Sequence, residues 1–229
     1  MPFHPDPGRR NAVILPPPQR RCAPAPLSTK ELSKETWPDF QRLFGKRGEW
    51  GVCWCAYYQR ARPIPPDETR GWSLERRAKR NREDKVALVE QGRAHGILVY
   101  VGDDPVGWCQ YGPREELPRI DAARNYKALG LGGGRLWRIT CLSVDRAHRG
   151  EGVARMALAA ALKSIESQGG GTVEAYPVTH RGALAVWFGT QSMFARHGFK
   201  VVGPYGRSNV VMRKTVRRRP GSKVAGAKP

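Results

Sequence analysis

"SVDRAHRGEGVARMALAAALKSI", residues 143–165, is the stretch on which the fold reading turns. It opens as the end of an apolar run, crosses a basic turn holding two glycines, and enters a segment with helical periodicity. Two readings of the turn compete. It is an ordinary strand-to-helix connection, or it is a cradle for an anion. Gly150 and Gly152 lack a Cβ, so backbone N–H groups there can come close to phosphate oxygens. The first-turn amides of the helix have no intrahelical partners, and the helix dipole adds positive potential. Arg146, Arg149 and Arg155 add charge. The turn is not a P-loop, because no Gly-Lys-Ser/Thr follows. A dinucleotide fingerprint would need Gly or Ala where Arg155 stands.

Outward from this turn, an apolar strand is predicted over residues 136–144 and a helix over 151–167. After the glycines at 169–171 come a strand "TVEAYPV", a helix over 183–196 stopped by Gly198, and the strands "FKVVGP" and "NVVMRKTV". Upstream, "GILVYVG" and "PVGWCQYG" read as a hairpin turning at Asp103-Asp104. "SLERRAKRNREDKVALVEQGRAHG" reads as a helix capped by Ser73. Residues 28–48 open with cap-type residues and space Leu32, Phe40, Leu43 and Phe44 as a helical face, offset by Pro38. Residues 113–134 look like loop. The order predicts one α/β domain with a mixed, mostly antiparallel sheet flanked by helices.

The 229 residues suffice for one moderate core plus tails. Residues 1–30, rich in Pro and Arg, and the basic residues 217–229 read as unstructured, leaving a domain over 31–216. The net charge of +20 favours anionic partners: a phosphorylated cofactor, RNA or an acidic carrier protein. Five cysteines do not make a secreted framework, and no signal peptide or membrane-length segment is visible, so a cytoplasmic chain without membrane contact is expected. Cys53-Trp54-Cys55 lacks the second Cys pair or His pair that zinc requires, so no metal is expected and buried thiols are the default. Trp50, Trp54, Tyr57, Tyr58, Trp108 and Tyr111 are candidates to wall an acceptor pocket.

"LSVDRAHRGEGVARMAL" resembles the signature of the GNAT superfamily of N-acetyltransferases, an apolar strand end followed by Arg/Gln-x-x-Gly-x-Gly/Ala and a helix. "ILVYVGDDPVGWCQY" resembles that family's central hairpin, and "MFARHGFKVVG" the end of its next helix. The likeness covers about residues 97–216. It implies transfer of an acetyl group from acetyl-CoA to an amine by direct attack in a ternary complex. It also implies that the pyrophosphate rests on Arg149, Gly150, Glu151, Gly152, Val153 and Ala154. The strand backbone at Leu142, Ser143 and Val144 would then pair with the pantetheine arm, one amide acting as an oxyanion hole.

Such chemistry needs a base for the amine, and Glu174 is the first candidate, with Tyr176 on the same strand face. The family often places a tyrosine four residues before its Gly-Phe pair to protonate the leaving thiolate. Phe194 stands there instead, leaving Ser192, Tyr176 or Tyr205 as conceivable acids, or none. The expected acceptor is a small-molecule amine. The alternatives are an acyl or aminoacyl transferase using aminoacyl-tRNA or a carrier protein, and a non-catalytic CoA-sensing or nucleic-acid-binding module.

Overall fold

The computed structural model describes residues 26–45, 52–179 and 185–218. Trp50 and both expected tails, apart from residues 26–30 and 217–218, lie outside them. The described residues form a seven-stranded sheet in the order β1-β2-β3-β4-β5-β7-β6. Its strands are β1 (Leu27–Glu31), β2 (Gly96–Val101), β3 (Asp104–Pro113), β4 (Leu136–Val144), β5 (Gly171–Ala175), β6 (Lys200–Tyr205) and β7 (Asn209–Val216). Only β4 and β5 pair in parallel; every other neighbouring pair of these strands is antiparallel. A parallel pair needs a crossover. The helix Val153–Ser167 supplies it.

The longer helices are α1 (Trp37–Gly45), α2 (Leu74–Glu90), α3 (Val153–Ser167) and α4 (Gln191–Arg196). Alternation along β2 shows how they are divided between the faces. Ile97 and Val99 pack with Val153, Ala157, Leu158 and Ala161 of α3. Leu98 and Tyr100 pack with Phe40 and Phe44 of α1 and with Val89 of α2. Both faces of the central strands are therefore covered, which is why β2 reads as a continuous apolar run. Close packing also accounts for Gly96: a Cβ there would fall 1.9 Å from the Trp108 ring.

Several boundaries differ from those predicted. Residues 28–48 do not form one helical stretch. Leu27–Glu31 pairs with β2 as an edge strand, so the ordered domain starts before residue 31. The strand was hidden because four of its five residues are polar and face solvent. Thr36 then accepts from Ser33 N (2.8 Å) and donates to Glu31 O (2.7 Å), setting up α1. Pro38 lies in the first turn of α1, where no N–H is needed.

The helix predicted from 183 divides around Gly189 (φ 70°) into a turn at Ala185–Phe188 and α4; residues 183 and 184 lie outside the described residues. The helix predicted from Glu151 begins at Val153. The presumed loop 113–134 carries helical turns at Arg119–Ala122 and Arg124–Lys127. Ser73 caps α2 as expected, accepting from Arg76 N at 3.2 Å. Among the described residues no helix is long and apolar enough to cross a membrane.

Candidate active site

The parallel pairing of β4 with β5 runs from Leu136↔Thr172 to Ile139↔Ala175 and stops. Beyond it, β4 stays with β3 as far as Val144↔Gly107. The chain leaving β5 turns the other way: Val178 bridges Asn209, and Thr179 N donates to Ser208 O at 2.8 Å. The two strands therefore splay. From Thr140 to Val144, β4 has β3 on one side and, among the described residues, no strand on the other.

The signature turn lies at the open end of this splay. Asp145 Oδ1 accepts from Ala147 N (2.9 Å) and closes a single turn at Arg146–His148. Gly150 and Gly152 both hold positive φ, 88° and 85°, and a Cβ at either would meet nothing within 4 Å. Their requirement is therefore conformational, and the space above them is open. Gly152 caps α3 without any side-chain hydrogen bond, so the first-turn amides are not satisfied by a protein cap. Arg146, Arg149 and Arg155 stand exposed around this end. Leu142 and Val153 turn their side chains into the core, and the Ser143 side chain is enclosed. Glu151 is held by His148 Nδ1 at 2.9 Å. The nine residues predicted to hold the donor thus form one continuous ledge, with β4 backbone at one end and the α3 N-terminus at the other.

A cavity of about 350 Å³ opens beside the β4 edge, lined by Thr140 and Cys141 of β4, by Cys53, Cys55, Tyr57 and Tyr58, by Gln110, and by Trp187 and Phe188. Tyr57 and Tyr58 also line a second cavity, of about 520 Å³, with Arg119, Asn125, Tyr205 and Asn209. Among the described residues, no carboxylate lines either cavity. Of the aromatic residues predicted for an acceptor wall, Tyr57 and Tyr58 stand there. Trp54, Trp108 and Tyr111 are core residues instead. The wall completed by Trp187 and Phe188 was not foreseen, because "AVWFG" reads as ordinary helix.

Glu174 and Tyr176 share a face as predicted, but not at the cavity wall. Glu174 is fully enclosed and accepts from Tyr176 (2.6 Å), Tyr126 (2.8 Å) and Arg213 (2.6 Å). Arg138 stands 3.8 Å away and is itself paired with Asp121 (2.7 Å). The Tyr176 ring lies tilted against that of Tyr205, their centroids 5.2 Å apart, and it is Tyr205 that faces the larger cavity. Both oxygens of Glu174, the residue expected as base, are committed to phenols and guanidinium groups, with Tyr176 and Tyr205 between it and the cleft. Burial, with Glu174 second, pushes the Tyr176 hydroxyl well above its ordinary range, which leaves it a weak acid. Phe194 packs edge-on against Phe199 (5.2 Å) in the main core and offers no proton.

Over residues 33–199 the chain matches the family model of the acetyltransferase (GNAT) family. The chain belongs to that family. No curated protein sequence matches it. Among solved structures, it is similar to an acetyltransferase of the GNAT family from Desulfovibrio desulfuricans, at 15% identity, over 83% of this chain and 99% of that one (TM-score 0.49). The PaiA N-acetyltransferase of Thermoplasma acidophilum in complex with coenzyme A is 13% identical, over 83% and 99% (TM-score 0.48). NAA60 of Arabidopsis thaliana in complex with acetyl-CoA is 14% identical, over 83% and 99% (TM-score 0.46).

This GNAT acetyltransferase carries further polar groups that the sequence reading passed over. Gln110, buried on β3, donates to Cys55 O (2.8 Å) and accepts from Thr140 Oγ1 (2.9 Å), fixing the 53–55 turn to β4. Lys85 of α2 is fully enclosed and donates to Gln59 Oε1 at 2.7 Å. Burial lowers its pKa to about 8. A lysine between apolar positions of a helix gives only a weak signal of burial. Among the described residues, no three metal-ligating side chains converge.

Proposed function

We propose that this GNAT acetyltransferase transfers the acetyl group of acetyl-CoA to the primary amine of a small molecule seated in the cavities beside β4. The observation carrying this reading is the free edge of β4 from Thr140 to Val144, continuous with the uncapped, glycine-turned N-terminus of α3. An extended pantetheine arm is an acceptable strand partner, and a pyrophosphate suits unsatisfied amides beside Arg149. One β4 amide at Leu142, Ser143 or Val144 would take the thioester carbonyl and stabilise the developing oxyanion.

The amine would attack the thioester from the cavity side in a ternary complex. Among the described residues no carboxylate lines the cavity, and the reactive form taken here is the neutral amine present in solution. Aromatic walls on both cavities suit an acceptor with an apolar body rather than a protein tail or an RNA end. The described cysteines are free thiols, which suits a cytoplasmic setting. The test is release of free CoA thiol from acetyl-CoA on addition of members of an amine panel. A small aromatic or alkyl amine should support turnover. Release driven only by aminoacyl-tRNA or a carrier protein would replace this acceptor class with a macromolecular one.

A further inference from the structure

We infer that the acceptor amine carries a carboxylate at its far end, set apart from the amine by an apolar or aromatic spacer, and that Arg119 of the larger cavity receives that carboxylate. The inference rests on the acetyl-transfer reading above and narrows its acceptor to one chemical class.

The first support is continuity. Phe188, Tyr58, Tyr57 and Arg119 follow one another along a single wall. The Tyr58 ring meets that of Phe188 edge-on at 6.4 Å and that of Tyr57 edge-on at 4.9 Å. The Arg119 guanidinium then lies 3.9 Å over the Tyr57 ring. Phe188 lines the smaller cavity together with Thr140 and Cys141 of β4, Arg119 lines the larger one, and Tyr57 and Tyr58 line both. One acceptor can therefore hold its amine beside the β4 edge and run its body over the two tyrosines to Arg119.

The second support is charge. Among the described residues lining the two cavities, Arg119 is the one basic side chain, and none is a carboxylate. The acids near it are already taken. Asp121, two residues on, holds Arg114 (2.8 Å) and Arg138 (2.7 Å), and Glu174 holds Arg213 (2.6 Å). Arg119 is left with the Tyr57 ring as its partner. Stacking engages the flat face of a guanidinium and leaves its N–H edge free for a planar, bidentate acceptor. Tyr205 and Asn125 line the same cavity. Burial first, and Tyr57 next, raise the pKa of the Tyr205 phenol, so it stays protonated and able to donate.

These groups select among anions and against cations. A single guanidinium balances the one charge of a carboxylate and matches its two coplanar oxygens. A phosphoryl dianion would call for a second cation, and among the described residues none lines either cavity. A polyamine would place its second ammonium on a wall that offers it Arg119 and no acid.

The test compares acceptors for acetyl-CoA in pairs. Para-aminomethylbenzoate and aminohexanoate are each set against their neutral primary amides, and para-aminomethylphenylphosphonate against the benzoate. Within a pair the amine and the body are the same, so a difference reports on the far end. At least one acid is expected to exceed its amide in kcat/KM by about tenfold to a hundredfold, chiefly through KM, as a charge-assisted pair implies. In Arg119→Gln that ratio should fall to parity. Arg76→Gln removes the same charge from the exposed side of α2, where Arg76 stacks on Trp72 at 4.6 Å, and should keep the ratio. An equal fall in both variants would assign the preference to overall charge and overturn the subsite. Parity of acid and amide in the parent chain, acetylation of neither included, would overturn it as well. A preference for the phosphonate would replace the carboxylate with a phosphoryl group. Calorimetric titration with acetyl-CoA on the same preparation keeps the two levels apart. Binding with parity removes the carboxylate subsite alone, whereas absence of binding removes the donor reading beneath it.

Discussion

A Cβ placed on Gly107 of β3 would stand 2.3 Å from Cγ1 of Val153, the first residue of α3. The branched valine has little freedom to retreat, and Val99 lies at 3.3 Å on another side. This contact sets how closely the N-terminus of α3 approaches the sheet, and so where its free amides stand relative to the β4 edge. Gly107→Ala is therefore expected to push the first turn of α3 outward. Overpacking of this kind costs about 1–3 kcal/mol, read as a lowered midpoint in urea. Acetyl-CoA affinity should fall beyond that, since the amides move with the helix. Unchanged affinity in a destabilised variant would separate the helix position from the donor site.

Gly152 makes the complementary case. Its φ of 85° is strained for any other residue, yet a Cβ there meets no protein atom within 4 Å. Gly152→Val is expected to cost about 1–2 kcal/mol of stability from backbone strain alone. The larger effect should be on ligand, because the added side chain occupies the open space over the α3 amides. Calorimetry should show acetyl-CoA binding weakened well beyond the stability loss.

Glu174 is a scaffold residue on this account. Glu174→Gln would leave Arg138 and Arg213 facing a neutral amide, and breaking a buried pair in this way costs about 3–5 kcal/mol. The folded fraction should retain its kcat and its pH profile. Loss of a limb from that profile at intact stability would instead return Glu174 to the role of base.

Lys85 gives a pH prediction with a definite sign. Burial lowers its pKa from the ordinary 10.5 to about 8 in the folded chain. Between these values the unfolded chain holds a proton that the folded chain lacks, so stability rises with pH across that window. Below about pH 8 the penalty for burying the charge is present in full. Lys85→Met should remove the rise, which is on the order of 3 kcal/mol. Urea titrations at about pH 7 and about pH 10 would measure it, and parallel curves for the two proteins would contradict the assignment.

The parts of the fold set by long apolar periodicity were legible in the sequence: β4, β7 and the central hairpin stand where the alternation placed them, and α3 within two residues. β1 was not, because "LSTKE" is an edge strand held by backbone pairing with β2 and presents polar side chains to solvent. Strand alternation put Glu174 and Tyr176 on one face but carries no information on depth. That depth depends on Tyr126 and Asp121, which arrive on short helical turns of a segment that reads as loop. Arg138 was the available clue: a charge in the middle of "LWRIT" must find partners of opposite sign. The Cys53-Trp54-Cys55 turn was conspicuous as a motif, yet the positive φ angles of Trp54 and Cys55 cannot be read from those residue types, which resist that conformation.

The central claim is that the β4 edge and the glycine turn before α3 hold acetyl-CoA. Calorimetric titration of the protein with acetyl-CoA, in parallel with Gly152→Val, tests it most directly. The account predicts one acetyl-CoA per chain, weakened strongly in the variant while its far-ultraviolet circular dichroism stays that of the folded protein. No heat of binding to the parent chain, or equal affinity in the folded variant, would contradict it.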